Sequence, residues 1–211
     1  MEVEGVKLSL EGASPRMRYV MFRGYEAPAA RLAMSVLAPD DRVLEIGAGT
    51  GFMAIVCSRR TGVQHYRMVE ASPSMLPVIR GNFALNGASM PELVHAAVCE
   101  RDGPLVFHVH RNFWSSSIIR REGSRPVSVE GRSIPSLLRE IPWTPTTLIL
   151  DVEGCEADIP TSHFQPFRKL IMEIHPALIG DGRAADLLAG LTSAGFREVG
   201  REGWSYAFER G

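Results

Sequence analysis

Acidic side chains and a histidine follow two apolar segments in the second half of the chain. Asp151 and Glu153 come at the end of one segment, and Glu173 and His175 end the next. If both segments are parallel strands of one sheet, their carboxyl ends meet at the edge where open α/β sheets bind ligands. Carboxylates and an imidazole can take a proton from a reacting group, and the ordinary histidine pKa of about 6.5 suits a base at neutral pH. Asp151, Glu153 and His175 are therefore candidate catalytic residues.

Each of these side chains also has a structural explanation. Asp151 can cap the turn that follows it, and Glu156 can face solvent in the next helix. His175, which precedes Pro176, can be a packed loop histidine. A divalent metal held by Asp151, Glu153 and His175 is chemically reasonable, because carboxylate and imidazole groups bind several ions. We do not favour a metal, because the sequence contains no clear ligand-spacing motif.

A glycine-rich loop lies between the first apolar strand and the helix that follows it. Gly47, Gly49 and Gly51 alternate with other residues, and Phe52 begins the helix. Glycines permit tight turns and close approach of a ligand, and a helix N-terminus offers free N–H groups to an anion. A dinucleotide fingerprint would need glycine at position 52, and no Gly-Lys-Ser/Thr follows as in a P-loop. The loop therefore favours a ligand other than a dinucleotide or a nucleoside triphosphate.

Glu70 ends the second predicted strand. In a nucleoside site on an α/β sheet, an acid at this position accepts hydrogen bonds from ribose hydroxyls. A carboxylate at a strand end can equally be a simple helix cap. Together with the glycine loop, it favours a nucleoside cofactor that lacks a pyrophosphate.

Strand-like and helix-like segments alternate from residue 42 onward. The pattern predicts strands at 42–46, 66–70, 93–98, 104–110, 127–129, 147–151 and 169–174, and helices at 52–60, 73–85, 133–141 and 182–194. Segments 196–200 and 204–208 predict a C-terminal β-hairpin. This alternation is typical of an α/β fold with a mostly parallel sheet and helices on both faces. We expect one domain over 1–211, with 1–25 as an N-terminal extension or flap and 26–211 as its core.

Composition restricts the class of protein. The chain has 211 residues, 45% of them hydrophobic and 22% charged, with a formal net charge of −1. No basic field points to a nucleic-acid partner, so we expect none. Three widely spaced cysteines form no zinc or disulfide framework and favour a reducing, cytoplasmic location. No apolar run approaches the ~20 residues of a membrane span, and charged residues interrupt the N-terminus, so we expect no membrane partner and no signal peptide. The oligomeric state is not predicted.

Several segments together resemble a known group of proteins. Residues 44–51 resemble the first motif of class I S-adenosylmethionine-dependent methyltransferases, 69–73 the acidic second motif, and 82–87 the helix end after it. Residues 150–156 resemble the Asp-Val-Glu-Gly-Ala-Glu signature of the FkbM family, and 172–175 its Glu-x-His strand end. The resemblance covers about positions 24–200, with Gly49-Thr50 in place of Asn-Ile and Cys155 in place of alanine. It implies a Rossmann-like class I methyltransferase fold with a seven-stranded sheet.

The resemblance implies S-adenosylmethionine as cofactor and S-adenosylhomocysteine as product. The glycine loop with Glu45 would hold the methionine moiety, Glu70 the ribose, and the residues after the second and third strands the adenosine. Tyr25 and Glu26 resemble a segment that closes over the cofactor, and Asn86 either bonds to the cofactor or caps its helix. The predicted cofactor-binding residues are Glu26, Glu45, Gly47, Ala48, Gly49, Gly51, Glu70, Ala71, Ser72, Ala97, Val98 and Asp151.

The expected chemistry is transfer of a methyl group from a sulfonium to an acceptor. The enzyme must align the acceptor with the methyl carbon and, for a hydroxyl, remove a proton. The resemblance implies O-methylation of a small-molecule, natural-product or sugar-containing acceptor, with Asp151, Glu153 and His175 nearest the reacting atoms. Three alternatives stay open: an N-methyltransferase acting on a small amine, a nucleotide-dependent oxidoreductase, and a non-catalytic cofactor-binding module.

Overall fold

A seven-stranded sheet organises the protein, whose computed structural model describes residues 1–9, 11, 14–24, 26–112 and 115–211. The strands of this sheet are β3 (Val43–Ile46), β4 (Tyr66–Glu70), β5 (Glu92–His95), β9 (Thr147–Leu150), β10 (Lys169–Glu173), β11 (Arg197–Glu202) and β12 (Ser205–Glu209). Their order is β11–β12–β10–β9–β3–β4–β5, so β9 is central as predicted. Strand β12 pairs antiparallel with both β11 and β10, and the other neighbouring strands of this sheet pair in parallel. The predicted α/β sheet with its C-terminal hairpin is confirmed.

Helices cover both faces of the sheet. They are α1 (Pro15–Phe22), α2 (Ala27–Val36), α3 (Phe52–Thr61), α4 (Met75–Leu85), α5 (Ile134–Glu140), α6 (Pro176–Ile179) and α7 (Asp181–Ser193). Alternate residues of the strands point to opposite faces. In β3, Val43 packs with α2, α3 and α4, whereas Leu44 and Ile46 pack with α5 and α7. Among the described residues, no helix combines the length and the apolarity that crossing a bilayer requires.

A second, three-stranded sheet extends one edge of the fold. It contains β6 (Ala97–Val98), β7 (Gly103–Val109) and β8 (Arg125–Arg132) in the order β6–β8–β7. The sequence predicts one strand over 93–98, but the chain divides there. The Ala96 N–H donates to the Glu70 carbonyl at 3.1 Å, and Ala97 then pairs with Gly131 of the second sheet. Strand β8 is also longer than the predicted 127–129, because it pairs with all of β7.

The N-terminal segment is attached to the helical face of the core. A short hairpin, β1 (Glu2–Val3) and β2 (Val6–Lys7), places Val6 in the apolar cluster with α3. Asn86, whose role the sequence leaves open, accepts a hydrogen bond from the Lys7 N–H at 2.8 Å and donates to the Lys7 carbonyl at 2.7 Å. This asparagine therefore ties the N-terminal strand to the end of α4. The division of the chain at residues 25 and 26 remains a prediction.

Candidate active site

A cleft of about 660 Å³ opens at the carboxyl-terminal ends of β3, β4 and β9. Its position agrees with the ligand-binding edge of open α/β sheets. The walls come from the loops after these three strands and from the second sheet. The predicted residues that line it are Glu26, Gly47, Gly49, Glu70, Ala71, Ala97, Val98, Asp151 and Glu153. Motifs that lie far apart in the sequence thus meet around one cavity.

The remaining predicted residues lie outside this lining. Glu45 lines a second, adjoining cavity of about 360 Å³, which shares Glu26, Gly47 and Asp151 with the cleft. Ala48, Gly51, Ser72 and His175 line neither cavity. Tyr25, predicted with Glu26 to close over a cofactor, falls outside the described residues. Glu26 itself precedes α2 in a left-handed conformation, with φ of 57°.

Two glycines of the loop serve the packing of the backbone. Gly47 has φ of 88°, and a Cβ there would lie 1.7 Å from the carbonyl oxygen of Asp151. Because backbone atoms cannot move aside easily, only glycine fits where the loop meets the end of β9. Gly51 is the N-cap residue of α3, with φ of 76°, and a Cβ there would lie 3.2 Å from the Ile79 side chain. Its structural role is close packing of α3 against α4.

The carboxylate of Glu70 holds the loop that surrounds it. It accepts hydrogen bonds from the N–H groups of Gly49 at 2.8 Å and Ser72 at 2.7 Å, one on each oxygen. Burial raises the pKa of Glu70 to about 7, although these backbone hydrogen bonds oppose the shift. Each oxygen keeps a second lone pair for a further donor at the cleft. Ser72 therefore contacts Glu70 through its backbone N–H. Helix α4 begins at Met75, two residues after the predicted start at position 73.

Glu45 points to the opposite face of the sheet from the apolar side chains of Leu44 and Ile46. It is fully buried, and the Tyr66 hydroxyl donates a hydrogen bond to its Oε2 at 2.8 Å. Burial raises the pKa of Glu45 to about 8, while this hydrogen bond opposes the shift. The carboxyl group is therefore mostly protonated near neutral pH and reaches only the smaller cavity.

His175 lies among four carboxyl groups. Its Nδ1 is hydrogen-bonded to Glu156 Oε1. Its Nε2 lies 3.5 Å from Glu173 Oε2, 3.9 Å from Asp151 Oδ1 and 4.0 Å from Glu153 Oε1. The interpretation of Glu156 as a solvent-facing residue is wrong, because its side chain is 0% exposed. We call these five residues the acidic cluster.

The acidic cluster changes the protonation of its members. Burial alone would lower the pKa of His175, but hydrogen bonds with Glu156 and Glu173 and the charges of Asp151 and Glu153 raise it to about 11. The ordinary histidine pKa, on which the sequence-based choice of a neutral base depends, does not apply here. Burial, followed by the charges of Glu173 and Glu153, raises the pKa of Asp151 well above its usual value. At neutral pH the isolated cluster therefore favours an imidazolium.

The backbone at Glu153 adopts a strained, left-handed conformation. This residue has φ of 52°, which is uncommon for a residue with a Cβ. The Ser117 hydroxyl donates to its carbonyl oxygen at 3.0 Å, and Arg121 donates to the same oxygen at 2.8 Å. The Arg121 guanidinium also lies 3.5 Å from Glu153 Oε2. Burial raises the pKa of Glu153, although the charges of His175 and Arg121 oppose the shift.

Sequence reasoning did not identify Phe107 and Ile118 as residues of the cleft wall, although it predicted Ala97 and Val98 of the second sheet. Phe107 of β7, together with Ser116 and Ile118 from the following loop, lines the cleft. The period-two pattern of β7 predicts a strand but not the sheet that the strand joins. Arg121 was missed because it reaches Glu153 from a polar loop without a recognisable motif.

Sequence similarity to known proteins covers only part of the chain. No family model matches the chain. Over 120 residues it is 29% identical to ribosomal RNA small subunit methyltransferase A of Rubrobacter xylanophilus. That match covers 53% of this chain and 45% of the relative. The chain spans less than half the length of the curated relatives it matches.

Solved structures give a clearer relationship by fold. A precorrin-6y C5,15-methyltransferase from Geobacter metallireducens superposes with a TM-score of 0.54 and 15% identity, covering 88% of each chain. A ribosomal protein L11 methylase from Lactobacillus delbrueckii subsp. bulgaricus gives 0.53 and 13% identity, over 90% of this chain and 82% of that one. This chain has the Rossmann-like methyltransferase fold. Identities this low establish the fold alone.

One prediction about partners is wrong. The balanced net charge was taken to exclude nucleic acid, but the sequence relative from Rubrobacter xylanophilus is named for an RNA substrate. Net charge describes the whole surface and says nothing of a local contact that an RNA acceptor would need. Nucleic acid therefore remains among the acceptor classes to be tested.

Proposed function

We propose that this chain is an S-adenosylmethionine-dependent methyltransferase that methylates a hydroxyl oxygen, in the manner of the FkbM family, on a small-molecule or sugar-containing acceptor. The observation that carries the proposal is the cleft itself. Its walls combine the glycine loop, the Glu70 carboxylate and the Asp151–Glu153 segment around about 660 Å³. A nucleoside-binding end and an acidic end thus lie in one cavity.

The residues of the cleft fit an adenosyl cofactor. Glu70 keeps free lone pairs for the two ribose hydroxyls, and Ala97 and Val98 offer an apolar wall for the adenine. The acidic groups of Glu26 and Asp151 suit the positively charged ends of the methionine moiety. When bound, the cofactor supplies an electrophilic methyl group on a sulfonium.

The chain's own residues would orient the acceptor and take its proton. Glu153 lines the cleft, and burial raises the pKa of its carboxyl group, which makes the carboxylate a stronger base. Its strained backbone is fixed by Ser117 and Arg121, so the carboxylate is held in place before any acceptor binds. We assign Glu153 as the proton acceptor, and Asp151 and His175 as the groups that position and balance its charge.

The FkbM resemblance gains support from the acidic cluster. Asp151, Glu153 and Glu156 come from the Asp-Val-Glu-Gly-x-Glu segment, and Glu173 and His175 from the Glu-x-His segment. These two segments end neighbouring strands, β9 and β10, and their side chains meet around one imidazole. If the acidic side chains of these two segments served only to cap turns, they would not need to meet around His175.

Ligand binding tests the cofactor. We would titrate the protein by calorimetry with S-adenosylmethionine, S-adenosylhomocysteine and NAD, using wild type, Glu70→Ala and the exposed control Glu198→Ala. We expect micromolar binding of both adenosyl ligands, about −8 kcal/mol, lost in Glu70→Ala and unchanged in Glu198→Ala. Preferential binding of NAD would support the oxidoreductase alternative and overturn the proposal.

Turnover tests the acceptor. Transfer of a labelled methyl group would be followed with a panel of sugars, phenols, small amines and RNA oligonucleotides. Products on hydroxyl oxygen of a small acceptor would support the proposal. Methylation of nitrogen or of RNA would show that the proposed acceptor class is wrong. Cofactor binding without any methyl transfer would favour a non-catalytic module.

A further inference from the structure

We infer that Asp151, Glu173 and His175 form a binding site for one divalent metal ion beside the cleft. One ligand atom from each residue can be chosen so that the three atoms lie within 4.8 Å of one another. The residues come from the ends of β9 and β10, which are adjacent and parallel. The structure therefore assembles a ligand set that has no spacing motif in the sequence.

The distances suit an ion held between these groups. Metal–ligand bonds to nitrogen and oxygen are about 2.0–2.2 Å for Zn²⁺ and Mg²⁺, so two ligands of one ion lie at most about 4.4 Å apart. His175 Nε2 lies 3.5 Å from Glu173 Oε2 and 3.9 Å from Asp151 Oδ1. Two carboxylates and an imidazole suit Mn²⁺ and related ions, which accept oxygen and nitrogen ligands together.

The orientation of the imidazole supports the same site. Glu156 binds Nδ1 of His175, which leaves Nε2 directed towards Asp151 and Glu173. In metal sites, a histidine ligand commonly donates its other ring N–H to a carboxylate, which fixes the ring and its tautomer. The Glu156 side chain is completely buried, so contact with solvent does not explain why an acidic residue occupies this position.

The charges of the site leave room for a cation. The acidic cluster contains four carboxyl groups, and the cations that contact it within the described residues are His175 and Arg121. Asp151 Oδ1 is shielded from water and has no hydrogen-bond partner among the described residues, although it faces Nε2 of His175. Glu156 Oε2 is likewise buried without a hydrogen-bond partner in the same part of the chain. A buried carboxylate oxygen without a donor is costly unless a charge compensates it.

The position of the ion gives it a role in the proposed reaction. Asp151 lines both cavities, and Glu173 lines the smaller one. An ion on these ligands would orient an acceptor oxygen near Glu153 and favour loss of its proton. This role depends on the proposed function, whereas metal binding itself does not.

Metal binding can be measured without any substrate. The full chain, stripped with a chelator, would be titrated with Mn²⁺ by calorimetry and by electron paramagnetic resonance. Wild type would be compared with Glu173→Gln and His175→Gln. Matched controls are Glu198→Gln, on an exposed position of β11, and His65→Gln, which precedes β4 at the opposite edge of the sheet. Circular dichroism and S-adenosylmethionine titration in chelator would verify that each variant is folded.

We expect wild type to bind one Mn²⁺, and both site variants to bind it at least tenfold more weakly than the two controls. Absence of binding at 1 mM Mn²⁺ would overturn the site, as would equal binding in the site variants and the controls. If either site variant does not fold, the other decides the comparison. If wild type binds S-adenosylmethionine but not Mn²⁺, the metal site alone is contradicted. If wild type binds Mn²⁺ but not S-adenosylmethionine, the proposed function alone is contradicted.

Discussion

The two ends of the cleft are built in different ways. At the nucleoside end, the Glu70 carboxylate accepts hydrogen bonds from the backbone N–H groups of Gly49 and Ser72. Both residues belong to motifs that can be recognised in the sequence. At the acidic end, His175 is surrounded by side chains from separate segments, and Arg121 and Ser117 arrive from the loop after β7. The first end depends on backbone geometry, and the second on the balance of buried charges. Substitutions should therefore affect the two ends through different measurements.

Gly47→Ala should have the largest effect, because this glycine joins the two ends. The added Cβ would lie 1.7 Å from the Asp151 carbonyl oxygen, at a φ of 88°. Displacing backbone on both sides should lower the free energy of unfolding by about 3 kcal/mol or more, as measured by urea denaturation. Gly81→Ala is the control: it lies exposed in α4 with no atom near its Cβ and should gain about 0.5–1 kcal/mol. Equal stability of the two variants would show that the loop and β9 are not tightly joined.

Glu153→Gln should separate the two ends most sharply. Gln keeps the size of the side chain but cannot accept the proton of the acceptor, so we expect kcat to fall by about 10²–10⁴. The dissociation constant of S-adenosylmethionine should change less than threefold, because Glu70 and the loop are untouched. Steady-state kinetics with calorimetry measures both quantities. Weakened cofactor binding with unchanged kcat would place Glu153 at the nucleoside end instead.

The difference between the ends also explains what could be predicted from sequence. Strand ends and the glycine loop follow local periodicity, so β3, β4, β9 and the position of Glu70 could be predicted with correct bounds or nearly so. The break at Ala96 and the pairing of β6 with β8 depend on long-range hydrogen bonds that no local pattern shows. The altered pKa of His175 likewise depends on four distant carboxyl groups, which is why its ordinary value misled the choice of base.

Glu156→Gln should alter the acidic end without breaking it. Gln preserves the shape of the residue but removes one buried charge from His175, whose pKa of about 11 depends on that partner. Because the folded-state pKa is raised, the stabilisation is complete below about pH 6.5 and is lost as pH rises towards the folded value. We expect the pKa of His175 to fall by at least one unit, equivalent to about 1.4 kcal/mol. The pKa of His175 can be measured by following its imidazole resonances by NMR in chelator, with His65 as an internal control. If His175 gives the same titration curve in Glu156→Gln and in wild type, the charge of Glu156 does not set its pKa.

Glu45→Gln should have the smallest effect on stability. This variant tests what it costs to bury a charge away from both ends of the cleft. Burial raises the pKa of Glu45 to about 8, so between about pH 4.5 and 8 the folded protein holds a proton that the unfolded chain lacks. The free energy of unfolding should therefore decrease as pH rises through this range, by about 1 kcal/mol per pH unit. Gln can still accept the Tyr66 hydrogen bond but does not titrate, so the variant should lose less stability between pH 6 and pH 7. Urea denaturation at these two pH values measures the difference, and identical slopes in variant and wild type would mean that Glu45 ionises without cost in the folded protein.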